Sequence, residues 1–540
     1  MKSYIRCLAL TVAALVGVSA VGQAVEKKTA PASQPTTMTM TKTGTYTVTV
    51  TTTVAAPSSA AKPAVGMGDW TFTITPADEP RPALKYQLFP MYLDRKPGNA
   101  VLMIDQAMQM VPRPEGDNSP GTYKDGDRIE VLRDMPLEQI RAPQPVIAGT
   151  KGAVNAAMGI VRYPIEGEIQ DIVGAYSMSL DYMEVAAFRR DADWGLPYEK
   201  GISMLMPSLS SIRQTTKVLA LKARLEIAQG QYDQAVKTLE TGYSVAEHVA
   251  GPTLINSLIT VAMEALLNQQ LMTMVQQTDS PNMYWAMASL PRSMGKMEQA
   301  IEYERNWLYA QFPELKDYKN LTPDQWRTMI RKVEALMRSG AVGDQPKLAI
   351  VGVVAANVGA GREYLAEHGY AAEQIKKMTP SQIVGLYFMD DWNYWWDQSY
   401  KWWLLPYGKS REGAAQTNKE LQKRIQEVPG SLMAMLMPSL AKARTLQARA
   451  DRAVASLITV EAIRMYASRH DGKPPATLAD LNTLAPAPDD PMTGKPFEYK
   501  ADGQMFVLRG VLIPDGQPGR DEFKYTVTIV PQAKGSSNAK

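Results

Sequence analysis

The stretch with the most chemical potential is Trp392-Asn393-Tyr394-Trp395-Trp396-Asp397-Gln398-Ser399-Tyr400-Lys401-Trp402-Trp403, which holds five of the ten tryptophans. Indole faces stack on sugar rings or anchor a protein partner. Asp390, Asp391 and Asp397 lie beside them and would supply polar contacts. On a helix, Trp392, Trp396, Ser399 and Trp403 share one face, and Trp395 and Trp402 share a neighbouring one. Trp392, Trp395, Trp396, Trp402 and Trp403 are therefore the candidate ligand- or partner-binding residues. A glycan-cleaving site would also need two carboxylates about 5 to 9.5 Å apart beside them. The competing reading of the same spacing is core, because aromatic stripes at helical intervals fill the space between large helices.

Other reactive residue types carry less. Glu247-His248 and Glu367-His368 lack a second histidine at a helical offset, so neither forms a metalloprotease pair. His470 ends a helix, where a cation suits the dipole. Asn357-Val358-Gly359-Ala360-Gly361 lacks the third glycine and the Lys-Ser/Thr of a phosphate loop. Ser244 has no nucleophile-elbow context. Asp489, Asp490, Asp515, Asp521 and Glu522 gather near the C-terminus without EF-hand spacing. They read as solvated Asp-Gly turns, with calcium as the alternative. No catalytic residue, metal ligand or cofactor is assigned.

The elements that must position these residues begin after an export signal. Lys2 and Arg6 precede a small, apolar run over 7–18, and small residues ending at Ala20 or Ala24 offer cleavage sites. Residues 1–24 are thus read as a signal peptide, which places the protein in the periplasm or outside the cell. The only cysteine, Cys7, would leave with it. The mature chain then has no disulfide and relies on core packing. The apolar stretches 348–360 and 432–440 fall short of the roughly 20 residues a spanning helix needs. No membrane span is expected after cleavage. With 58 basic and 55 acidic residues the charge is nearly balanced, and nothing implies nucleic acid or an anionic membrane as partner.

Residues 25–66 are rich in Thr, Pro and Ala, the composition of a linker. Within it, 43–54 alternates Val or Tyr with Thr and is able to form a strand that pairs with the similar alternation at 70–74. Residues 67–430 read as an irregular helical domain. In it Gly230, Tyr232, Ala235 and Leu239 fall at the spacing of a tetratricopeptide-like helical hairpin. Residues 431–535 read as a small α+β domain: a long helix over 438–470, a short helix over 478–484, then a small antiparallel sheet. The fold class is mainly α with a small C-terminal α+β unit.

Two resemblances are carried by quotable residues. Ala462-Ile463-Arg464-Met465-Tyr466-Ala467-Ser468-Arg469-His470-Asp471-Gly472-Lys473-Pro474-Pro475 resembles the end of the spine helix of bacterial pseudopilins. So does the later Asp490-Pro491-Met492-Thr493-Gly494-Lys495-Pro496-Phe497-Glu498-Tyr499. The prepilin peptidase motif and the long apolar stem are missing, so the resemblance implies a headpiece shape for 431–535 and not assembly as a pilin. Pro82-Ala83-Leu84-Lys85-Tyr86, Pro97-Gly98-Asn99-Ala100, Arg189-Arg190-Asp191-Ala192-Asp193-Trp194 and Met378-Thr379-Pro380-Ser381-Gln382-Ile383-Val384 resemble a set of uncharacterised exported helical proteins of planctomycete-type bacteria. So does Lys401-Trp402-Trp403-Leu404-Leu405-Pro406. This second resemblance spans most of 80–510 and implies no activity.

The functional expectation is a non-enzymatic exported scaffold that contacts protein partners in the cell envelope. The alternative is a glycan-binding or glycan-cleaving protein using 392–403. Exposed indoles would favour the alternative. A cleft with converging Asp, Glu or His side chains would weigh against the scaffold.

Overall fold

A computed structural model describes residues 68–114, 123–141, 165–204, 209–291, 294–338, 350–427 and 433–531. The expected signal peptide, the linker and the strand-like 43–54 lie outside the described residues. The first part comprises β1 (Gly68–Ile74), β2 (Lys96–Asn99), α1 (Val101–Gln109), α2 (Gly126–Arg133), α3 (Leu137–Arg141), α4 (Ile165–Ala175), α5 (Ser177–Ala187) and β3 (Arg189–Asp191). The helical body continues through α6 (Leu209–Ala228), α7 (Tyr232–Val249), α8 (Leu254–Val275), α9 (Tyr284–Ala288), α10 (Met297–Gln311) and α11 (Pro323–Arg338). It closes with α12 (Ile350–Glu367), α13 (Ala372–Lys377), α14 (Pro380–Tyr400) and α15 (Tyr407–Glu427). Last come α16 (Met433–Ser468), β4 (Glu498–Asp502), β5 (Met505–Gly510) and β6 (Phe523–Ile529). The protein is mainly α, with a small strand-containing region towards the C-terminus.

The α6–α7 hairpin forms where its spacing predicted. Gly230 turns the chain at φ +73°, a left-handed angle that side chains disfavour. Buried Ala235 and Leu239 face the partner helix, and the Tyr232 hydroxyl donates to the Thr278 carbonyl 3.0 Å away. α8 packs against both hairpin helices and against α10 and α16. It is apolar almost all round, as a central helix must be. By length and composition α8 is the one described helix able to cross a membrane, but 72% of that window is buried inside the protein.

The C-terminal sheet differs from expectation. β4, β5 and β6 are antiparallel, but β1 adds to the edge parallel to β6, in the order β1-β6-β5-β4. Phe72 opposes Val527 in register and meets the Tyr525 ring edge-on at 5.6 Å. The alternation at 70–74 reveals a strand with one apolar face but not its partner. A boundary between 67–430 and 431–535 is therefore crossed by β1, and one apolar core runs from Phe72 through the helices to Ile529.

Buried arginines on α16 tie the parts together. Arg464 is fully buried. It pairs with Glu461 at 2.8 Å and donates to the Thr75 carbonyl at 2.9 Å and to the Ser280 carbonyl and hydroxyl at 3.0 Å. One guanidinium thus joins the exit of β1, the α8–α9 loop and α16. Arg452 does the same within the C-terminal unit, binding Asp490 with two nitrogens and the carbonyls of Asp521 and Val511.

Candidate functional site

The tryptophan-rich segment is mostly core. Trp392, Trp395 and Trp396 are 2%, 8% and 1% exposed, and Trp392 meets Trp307 of α10 edge-on. These three rings cannot stack on a sugar while the protein is folded. α14 stops at Tyr400, so Trp402 and Trp403 lie in the following turn and not on the helical faces predicted for them. The acids beside them are also engaged. Asp390 accepts from the Tyr318 hydroxyl, Asp391 from Arg424 at 3.1 Å, and Asp397 pairs with Arg305. The segment's polar edge is spent on holding α14 to its neighbours.

Trp402 is half-buried, and its indole N–H donates to the Thr417 hydroxyl at 2.9 Å. A Cβ on Gly413 of α15 would lie 2.1 Å from its ring. Alanine in place of glycine in a helix ordinarily stabilises by about 1 kcal/mol. Here the ring must move, so Gly413→Ala is expected to destabilise by about 1–3 kcal/mol in urea unfolding. A stabilised variant would mean that Trp402 swings away at no cost.

Trp403 has a different setting. It borders a cavity of about 560 Å³ at the seam where α8, α9 and α10 meet the α14–α15 turn and α16. Tyr243, Tyr284, Trp403 and Tyr407 supply aromatic walls, and Met287, Met294 and Met297 supply soft apolar ones. Leu405, Pro406 and Pro486 are exposed and form the rim, whereas Tyr243, Glu264 and Asn268 are buried.

Four buried polar side chains line this cavity with an atom lacking a protein partner: Glu264 (6% exposed), Asn268 (1%), Arg444 (8%) and Gln447 (8%). The orphaned atoms are Glu264 Oε1, Asn268 Nδ2, Arg444 Nη1 and Gln447 Oε1. Each buried group left unpaired costs about 1–3 kcal/mol, and these atoms are enclosed by protein, so a ligand in the cavity reaches them only where their side chains turn towards it. Their other atoms are fixed. The Tyr243 hydroxyl donates to Asn268 Oδ1 at 2.5 Å. Gln447 Nε2 donates to Asp451 at 2.7 Å. Arg444 Nη2 donates to the Leu405 carbonyl at 2.8 Å and to the Ser410 hydroxyl. The guanidinium of Arg444 also lies over the rings of Trp403 and Tyr407, 5.3 and 5.7 Å from their centroids.

Burial and then the charge of Asp451 push the Glu264 carboxyl up to about 8, so it keeps its proton at neutral pH. Asp451 lines the cavity and is exposed, and desolvation by the surrounding protein raises it above the ordinary carboxylate value despite the bond from Gln447. Burial also lowers Arg444 to about 10, still charged at neutral pH. The cavity wall thus holds a neutral acid, Glu264, and two further carboxyls, Asp451 and Glu298, a grouping of the kind that functional sites create.

The remaining sequence candidates lie elsewhere. His248 is buried beside Glu247, while His368 and His470 stack on Tyr364 and Tyr466. Asp490 and Asp521 are not solvated turn residues, because they take two-pronged bonds from Arg452 and Arg449. No group of three His, Cys, Asp or Glu side chains among the described residues is placed to hold a metal ion. Sequence reasoning missed Glu264 and Asp451. The signal that could have found the first is its isolation as the only charged residue in α8. No protein-family model, curated protein or solved structure matches the chain.

Proposed function

We propose that this is an exported protein that binds a small molecule in the seam cavity. The observation that carries the reading is an aromatic-walled cavity of about 560 Å³ with Glu264, Glu298, Asp451 and Arg444 on its wall, within the size range of small-molecule sites. The cleft with converging carboxyls weighs against a purely structural scaffold. The burial of three of the five candidate indoles weighs against a tryptophan platform for glycans. Trp403 alone of the five borders the cavity, as one wall.

The test is thermal unfolding against a panel covering several chemistries: 2-phenylethylamine, 2-phenylethanol, 3-phenylpropanoate and methyl glucoside. At least one is expected to raise the unfolding midpoint of the wild type, because a ligand that binds only the folded state stabilises it by mass action. The gain is expected to vanish in Ala288→Trp, which places a ring on an exposed part of the cavity wall. A panel in which no compound shifts the wild type would overturn the proposal.

A further inference from the structure

Resting on that ligand-binding reading, we infer that the seam cavity is built for the ammonium group of a small organic amine, held between Glu264 and Asp451. The charge balance of the wall supports a cation, since it carries three carboxyls (Glu264, Glu298 and Asp451) against one guanidinium, Arg444. The hydrogen-bonding pattern agrees. Glu264 Oε1 and Gln447 Oε1 are acceptors without a partner, enclosed by protein in side chains that line the cavity; a turn of either side chain offers them to an ammonium, a compact group with three donors and no acceptor. The apolar wall agrees as well. Aromatic faces and thioethers attract cations and soft apolar bodies, and Trp403 and Tyr407 already carry the guanidinium of Arg444 on their faces. An anionic ligand would meet Arg444 but also the surplus of carboxyls.

Binding then has a proton attached to it. The titratable groups around Glu264 are Asp451 and Arg444 on α16, Glu298 on α10, Tyr243 on α7, Tyr284 on α9 and Tyr407 on α15. In the free protein the Glu264 carboxyl is neutral at pH 7. An arriving ammonium favours its carboxylate, so the O–H bond of Glu264 breaks and the proton passes to buffer, leaving an ammonium–carboxylate pair in the cavity. No oxidation state changes and no other bond breaks.

The experiment is isothermal titration calorimetry of the full-length protein with 2-phenylethylammonium, with 2-phenylethanol as its neutral counterpart and with 3-phenylpropanoate as its anionic one. Titrations run in phosphate and in Tris, whose different ionisation heats count the protons released. The ammonium is expected to bind at least about tenfold tighter than the alcohol at pH 7.5, with close to one proton released per ligand. Its affinity should rise by up to about tenfold per pH unit between 6 and 8, the slope of a one-proton linkage. Glu264→Gln is expected to remove both the pH slope and the proton release. That variant should still bind the alcohol, which demonstrates an intact cavity. The inference is overturned if the alcohol or 3-phenylpropanoate binds as tightly as the ammonium, or if no proton is released; the cavity reading survives either result. Failure of all three compounds to bind the wild type would overturn the cavity reading itself.

Discussion

Replacing Arg464 by methionine is expected to cost about 3–5 kcal/mol of stability, the scale seen when one partner of a buried ion pair is removed. Methionine fills much of the same volume, so the loss comes from polar groups and not from a hole. Glu461, fully buried, would lose its cation, and the carbonyls of Thr75 and Ser280 would lose donors at 2.9 and 3.0 Å. Those acceptors belong to the exit of β1 and to the α8–α9 loop, so the variant loosens three parts of the chain at one point. Urea unfolding followed by circular dichroism measures the cost. The double change Arg464→Met with Glu461→Leu should recover a large part of it, because removing both partners of a buried pair is often near neutral. A single variant within about 1 kcal/mol of wild type would mean that the network is not a joint between the sheet and the helical body.

Glu264→Gln should act in the opposite direction, and only at high pH. The folded carboxyl keeps its proton to about 8, whereas the unfolded one releases it near the ordinary 4.5. Between those values the folded state binds more protons, so rising pH destabilises it, and the penalty is complete above about 8. At about 1.4 kcal/mol per pH unit the ceiling is roughly 4–5 kcal/mol. Glutamine cannot ionise and escapes this penalty. The variant should match the wild type near pH 4.5 and exceed it by up to that ceiling, about 4–5 kcal/mol, at pH 9, in urea unfolding across that range. Parallel stability profiles for the two proteins would show that Glu264 is not a buried acid.

The sequence reveals the helices and their order more readily than their partners. The hairpin around Gly230, the spine helix and the three C-terminal strands lie close to where spacing and turn residues put them. β1 was legible as a strand from Trp70, Phe72 and Ile74, yet its place beside β6 depends on a pairing across about 450 residues that no local pattern encodes. The indoles of 392–403 presented the opposite difficulty. Their spacing fits a binding face and a core stripe equally, and only the packing of α11, α12 and α15 around α14, with Trp307 and Arg305 of α10 against it, decides for core at Trp392, Trp395 and Trp396. The cavity was least legible. Glu264 and Asp451 are about 190 residues apart in sequence and line one cavity because α16 docks on α8. Glu264 stands out only as a lone charge in an apolar helix, and Asp451 has ordinary charged neighbours such as Arg449 and Arg452.

The claim that the seam cavity is a site for a small amine is tested most directly by a crystal structure grown with saturating 2-phenylethylammonium. The expected result places the nitrogen within hydrogen-bonding distance of Glu264 and Asp451, with the ring against the aromatic wall of Trp403 and Tyr407. A cavity that holds only water at saturation, or a ligand bound elsewhere on the protein, would contradict it.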